Sequence, residues 1–237
     1  MFTTWGRVTP FVLDQAEQFR PGQPPAVSGP AYATALDEVR SLGRDTSTTR
    51  TPDQIVAGQF WSSAPVWNTR NQVTQQLLAG EHASLAQATT VLDALDLSLA
   101  DTTIAMYDAK YAFLVWRPVT AIQVGIPAIA GDPSWNPLTP TAGDPSYPGA
   151  HSSLSEAAAV VLTGFFGPRQ AVTVTSAAAP GVTRSFPSLA AAADEAGLSR
   201  IWAGQHTRID HVAGQALGRQ VAGEVLHEVP AHQPASS

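Results

Sequence analysis

The stretch SRIWAGQHTRID, Ser199 to Asp210, concentrates more chemistry than any other part of this chain. Arg200 carries a planar guanidinium fork suited to tetrahedral oxyanions. His206 and Asp210 stand four residues apart at the start of a helix expected over about Ile209–Glu228. At that spacing the carboxylate can accept the imidazole Nδ1 proton and leave Nε2 as a lone pair, ready to act as a nucleophile or metal ligand. The same pair also fits a capped helix start with a structural histidine.

Two earlier stretches supply more cations. KYAFLVWRP runs from Lys110 to Pro118. On one continuous helix, Lys110 and Arg117 lie two turns apart on a shared face, about 10 Å along the axis. Charges of this kind are commonly solvated. Here the neighbours Tyr111, Phe113, Leu114, Val115 and Trp116 are apolar nearly all round, which predicts burial. A buried cation needs a partner, and no carboxylate occurs between Lys110 and Asp132. The third stretch, PGAH from Pro148 to His151, precedes a helix. Backbone amides at Gly149 and Ala150 would form an anion cradle, with His151 beside it as a general acid or base. Taken alone, it also reads as a helix-entry loop.

These basic groups stand out because the chain is acidic, with 237 residues and a formal charge of −6. Such a balance argues against a general nucleic-acid or anionic-membrane partner, which wants a broad basic face. The absence of cysteine excludes disulfides and thiolate chemistry. The longest nearly apolar stretch, Ala157 to Phe166, is short of the roughly 20 residues that span a bilayer. Met1 to Leu13 lacks a signal-peptide core. A soluble chain is expected, cytoplasmic by default, with a homo-oligomer left open.

Residues 1–30, rich in Pro and Gly, read as an extended arm without packing of its own; 31–229 read as one helical domain and 230–237 as a flexible tail. Helices are expected over Pro30–Leu42 with Gly43 as a left-handed stop, from Pro52, and over Asn68–Leu78. A long helical stretch from His82 to Trp116 should break near Leu95–Ser98 and stop at Pro118. A turn-rich segment from Val124 to Pro148 precedes a helix over Ser152–Phe166. One small hairpin is expected from Ala171–Ser176 and Val182–Phe186, then a helix over Pro187–Gly197. The fold class is mainly α, a helical bundle with that single β-hairpin.

The ordered blocks resemble the superfamily that unites vanadium-dependent haloperoxidases, type 2 phosphatidic acid phosphatases and bacterial class A acid phosphatases. Its pattern is Lys, six residues, Arg-Pro; then Pro-Ser-Gly-His; then Ser-Arg, five residues, His, three residues, Asp. The first and third blocks match at every defined position. WGRVTPF near the start, VWRPVTAI, and VTRSF ahead of AAADEAGLSR resemble the soluble bacterial haloperoxidase-like branch, from about Trp5 to Glu228. The resemblance implies that Lys110, Arg117 and Arg200 neutralise the oxygens of vanadate or phosphate. It implies His206 as the axial ligand to vanadium or the phosphatase nucleophile, Asp210 as its orienter, and His151 as the acid–base group. The implied partners are hydrogen peroxide and a halide, or a phosphomonoester.

The middle block departs from the pattern. Gly149 stands where the family has Ser and Ala150 where it has Gly. The amides remain as oxyanion donors, but the serine hydroxyl is lost. That bond is worth on the order of 1.5–3 kcal/mol, a roughly 10- to 100-fold effect on affinity. A third reading is therefore a non-catalytic oxyanion-binding protein. Related haloperoxidase-like proteins also carry further helices upstream of the equivalent start.

Overall fold

The computed structural model describes residues 2–62 and 66–229; the tail expected from residue 230 lies outside them. Helices α1 (Pro30–Leu42) and α2 (Pro52–Phe60) each open on a proline, whose fixed φ suits the first helical position. Thr51 and Gln54 close a reciprocal capping box on α2. Helix α3 (Val66–Gly80) leads to α4 (Leu85–Phe113), capped by a second such box between Ser84 and Gln87. After α5 (Pro118–Val124) and a long loop come α6 (Ala150–Phe166), the strands β1 (Val172–Thr175) and β2 (Thr183–Phe186), α7 (Leu189–Trp202) and α8 (Arg208–Glu228). The architecture is mainly helical with one two-stranded antiparallel sheet, as the sequence predicts. No helix among the described residues is long and apolar enough to cross a membrane.

Helix α6 is the hub, packed on α8, α7, α4 and α3. Its sequence, AHSSLSEAAAVVLTGFF, is small or apolar on nearly every face, so it can be surrounded. Glycine on α8 sets how closely that surrounding is drawn. A Cβ at Gly214 would stand 2.6 Å from the Gly149 carbonyl oxygen, and one at Gly218 would stand 2.2 Å from that of Ser153. Side chains there would force the two helices apart. This contact brings the start of α8, which carries Asp210, against the start of α6.

Helix α4 runs unbroken where an interruption near Leu95–Ser98 is expected from the sequence. Ala94, Leu95 and Leu99 are buried against α6, and no Gly or Pro interrupts the run, so packing keeps the helix continuous. Asp101, inside this helix, makes tertiary bonds. Its carboxylate accepts the backbone N–H groups of Phe11, Val12 and Leu13 at 2.8, 2.8 and 3.0 Å. The N-terminal segment is therefore irregular but packed, contrary to the unpacked arm expected: Leu13 and Ala16 are buried. Gly6 approaches α4 so closely that a Cβ would lie 2.6 Å from the Asp108 Cα.

The end of α4 differs as well. The helix stops at Phe113 and Leu114 takes a left-handed φ of 52°. Pro118 starts α5 and does not stop α4, while Arg117 is the extended N-cap residue before it. Lys110 and Arg117 thus flank a corner and do not share a helix face. Gly43 also serves differently from the left-handed stop expected. Its φ is −83°, and it is required because a Cβ would meet the Gly204 Cα at 2.5 Å.

The loop between α5 and α6 is anchored by Trp135. Its fully buried ring packs with Leu36, Val39, Ile122 and Ile201, and its Nε1 donates to the Arg40 carbonyl at 3.0 Å. The hairpin pairs Val172 with Phe186 and Val174 with Arg184, and turns both valines into the core beside Phe60 and Trp61.

Gly218→Ala should destabilise the protein by about 1–3 kcal/mol through forced overpacking. Gly223→Ala on the same helix has open space at its Cβ and should add roughly 0.5–1 kcal/mol. Urea unfolding of both variants checks the contrast, and equal effects would contradict the close-packing account. Asp101→Ala leaves three amides without their acceptor, at a cost of roughly 1.5–3 kcal/mol. It should open new cleavage sites between Phe11 and Phe19 in limited proteolysis.

Candidate oxyanion site

Three separate segments converge where α4 ends, α6 begins and α7 passes into α8. Lys110 sits in the last turn of α4 and Arg117 at the mouth of α5; Arg200 ends α7, and His206 lies in the short connection to α8. Every one of these side chains is buried, Lys110 completely. Their charges act on one another. Burial first, and then Arg117, lowers the Lys110 ammonium to about 8 and the Arg200 guanidinium to about 10.

Hydrogen bonding fixes the protonation of His206. Arg117 Nη1 lies 3.0 Å from His206 Nε2. A guanidinium can only donate, so Nε2 carries a lone pair and the proton resides on Nδ1. Nδ1 faces the Asp210 carboxylate at 3.4 Å. Burial and then Arg117 push this imidazole down to about 3, against the opposing pull of Asp210, so the ring is neutral. Asp210 is itself held firmly, accepting from Ser146 Oγ and from the Thr207 amide at 2.7 Å each. Burial alone would raise its carboxyl, but the bonds to His206, Thr207 and Ser146 bring it below the usual range.

His151 is the second residue of α6 and its side chain is oriented by α2. Its Nε2 lies 2.8 Å from the Trp61 carbonyl, which only accepts, so Nε2 bears the proton and Nδ1 is the basic nitrogen. Burial and then the charge of Arg200 push this imidazole well below its ordinary value. Trp61 serves twice: its ring also lies under the Arg70 guanidinium at 5.0 Å. Arg70, on α3, donates to Ser155 Oγ and is lowered to about 10 by burial. No motif marked Arg70 in the sequence; an arginine between Thr69 and the polar Asn71 and Gln72 gives no signal of burial.

At the start of α6, the Gly149 amide donates to the Asp210 carbonyl at 2.9 Å. It is therefore committed, and the next amide, at Ala150, opens the helix without an intrahelical acceptor. Gly149 is also tightly enclosed, since a Cβ there would lie 3.2 Å from the Asp210 carbonyl oxygen.

The residue that the sequence reading missed is Asp144. No carboxylate follows Lys110 until Asp132, and Asp108 before it pairs with Arg20, but the loop before α6 returns one. Asp144 Oδ2 stands 3.2 Å from Lys110 Nζ and Oδ1 stands 2.7 Å from Arg117 Nη2. Burial would raise this carboxyl, and Lys110 and Arg117 together hold it below the usual range. Two buried cations in search of an anion were the available signal. Which acidic residue answers them depends on the path of the 25-residue loop from Gly125 to Gly149.

The other donors of these cations are also accounted for. Lys110 Nζ donates to the carbonyls of Pro145 and Ser146. Arg117 donates through Nε to the Asp144 carbonyl at 2.8 Å and through Nη1 to that of Gln205 at 3.1 Å. Arg200 differs: its Nη1 is buried without a hydrogen-bond partner. An orphaned guanidinium donor beside two further cations and two neutral imidazoles is a donor set for an oxyanion. It does not suit a bare metal cation, and among the described residues no group of three or more His, Asp or Glu is placed to hold one. A cavity of about 840 Å³ lies elsewhere, as an open apolar groove between α1 and α8. It is wide and exposed, whereas the charged cluster is enclosed, so the buried electrostatics locate the chemistry better than cavity size.

The family described as the VCPO second helical-bundle domain matches residues 90–233. The solved structure of a bacterial vanadium-dependent iodoperoxidase is 30% identical, with a TM-score of 0.88 over 97% of this chain and 58% of that one. A bacterial vanadium-dependent chloroperoxidase shares the fold at 17% identity. Its holo form gives a TM-score of 0.76 over 96% of this chain and 54% of that one. Its apo form gives 0.79 over 96% and 55%. The chain thus spans less than two thirds of the length of these structures. No curated protein matches it. The match over residues 90–233 contains every one of the converging basic residues, and the chain belongs to the VCPO second helical-bundle domain family.

Proposed function

We propose that this chain provides the oxyanion site of a vanadate-dependent haloperoxidase-like enzyme that uses hydrogen peroxide to oxidise a halide. The observation that carries the reading is the buried, unpaired Nη1 of Arg200 within a cluster of cations. In this reading Lys110, Arg117 and Arg200 hold the vanadate oxygens, and the Ala150 amide adds a neutral donor at the helix start. His206 Nε2, which accepts from Arg117 Nη1 here, would hold the vanadium once that contact is released, with Asp210 fixing the tautomer through Nδ1. His151 exchanges a proton at Nδ1 while Trp61 holds Nε2 in place. Vanadate, when bound, supplies a Lewis-acidic centre at which peroxide is activated. Burial of the cluster keeps bulk water away and strengthens each charged contact. The 30% identical iodoperoxidase supports this assignment over one based on fold alone.

Titration with vanadate, followed by iodide- or bromide- and peroxide-dependent halogenation of a phenolic dye, tests the reading. Turnover of p-nitrophenyl phosphate without halogenation would overturn it in favour of an acid phosphatase. Anion binding with neither activity would leave a non-catalytic oxyanion-binding protein. His206→Ala should abolish halogenation, whereas His151→Ala should retain vanadate binding and lose turnover. Arg200→Ala should weaken vanadate binding about 10- to 100-fold, as expected for loss of one charge-assisted contact.

The neutral imidazoles also set an acid limit. Both His206 and His151 sit below their unfolded value, so the unfolded chain binds more protons once the pH falls under about 6.5. Their contribution to stability is complete above that value and declines as the pH drops toward about 3. Asp144 and Asp210, held low by their partners, add to the loss at the acid end. Calorimetry of the anion-free chain should show Tm falling steadily from pH 6.5 to pH 4. A flat profile would contradict neutral buried histidines.

A further inference from the structure

We propose that Asp144 is an internal competitor for the oxyanion, a carboxylate that holds two of the three site cations until an anion displaces it. This rests on the oxyanion-site reading above and goes beyond it by naming a residue of this chain that sets the site's affinity. Its side chain is only 8% exposed and bridges Lys110 Nζ and Arg117 Nη2, while its own carbonyl accepts from Arg117 Nε.

The donor count makes competition necessary. The three protons of Lys110 Nζ face the Pro145 and Ser146 carbonyls and the Asp144 carboxylate. Arg117 has four contacts for its five N–H groups: the Asp144 carbonyl, the Asp144 carboxylate, the Gln205 carbonyl and His206 Nε2. The buried Nη1 of Arg200 lacks a partner altogether. An incoming tetrahedral anion can dock on Arg200 directly, but it gains Lys110 Nζ and the Arg117 Nη2 proton that Asp144 holds only by displacing that carboxylate. A carboxylate left beside the bound anion would repel it, so Asp144 must swing out with its loop or weaken binding. Asp144 lies seven residues before His151 in the segment that enters α6, so its displacement would be felt at the acid–base residue.

Isothermal titration of the full chain with inorganic vanadate, and separately with inorganic phosphate, tests the proposal. Wild type, D144N, D144S and D93N are compared, the last removing an equal charge from an exposed position on α4. Asp144→Asn and Asp144→Ser should each bind both anions at least about tenfold more tightly than wild type, with Asp93→Asn unchanged. Equal or weaker binding by both Asp144 variants, while wild type binds, would overturn the competitor role and leave the oxyanion site standing. An equal gain in D93N would overturn it too, by showing that net charge alone is responsible. Absence of binding in every protein would overturn the oxyanion site and this proposal with it. If an Asp144 variant does not fold alone, recovery of its folded circular dichroism with added phosphate supports the competition. Failure to recover at saturating phosphate counts against it.

Discussion

Mutual repulsion among buried cations is the constraint around which this molecule is arranged. Lys110, Arg117 and Arg200 are each brought out of water, and Arg117 lowers the proton affinity of both others. Such a group persists only when anionic and carbonyl acceptors are supplied in quantity. The fold supplies them from three directions: the carbonyls before α6, the Asp144 carboxylate, and the carbonyl of Gln205 after α7. The buried Nη1 of Arg200 is left without an acceptor, and that deficit is the feature an oxyanion would remove.

Close helix packing makes the arrangement rigid. Gly214 and Gly218 let α8 press its backbone on α6, and Gly197 allows α7 to meet the His211 ring, where a Cβ would stand only 2.4 Å away. His211 in turn contacts Ser152 Oγ at 2.9 Å, tying the third residue of α6 to α8. The beginnings of α6 and α8 are thereby fixed against each other, and with them His151, Asp210 and the connection bearing His206. A histidine held this way has one available tautomer, set by neighbours that can only donate or only accept.

Much of the candidate site was legible in the chain. The spacing of Arg200, His206 and Asp210 is local, and the structure brings these residues together with Lys110, Arg117 and His151 around one point. The reading of Lys110 and Arg117 as partners on one helix face was geometrically wrong, because helical spacing is meaningful only while the helix continues. Leu114 turns the chain there, and the two cations meet across a corner. Asp144 and Arg70 were illegible for a related reason. Each acquires its role from a partner more than 25 residues away, and nothing in its immediate neighbours announces that partner.

Sequence by itself determined the helical class, the hairpin, the prolines that begin α1 and α2, and the identity of the basic residues that gather. These depend on periodicity, capping and residue chemistry, which act over one or two turns. The tertiary structure decided that α4 runs unbroken, that the N-terminal segment docks on Asp101, and that the Gly149 amide is spent on Asp210. It also decided which carboxylate answers the buried cations, and that the buried Nη1 of Arg200 is left without a partner. Those outcomes follow from long-range packing: burial removes water as a partner, and each polar group must then find, within reach, whatever acceptor the rest of the chain brings.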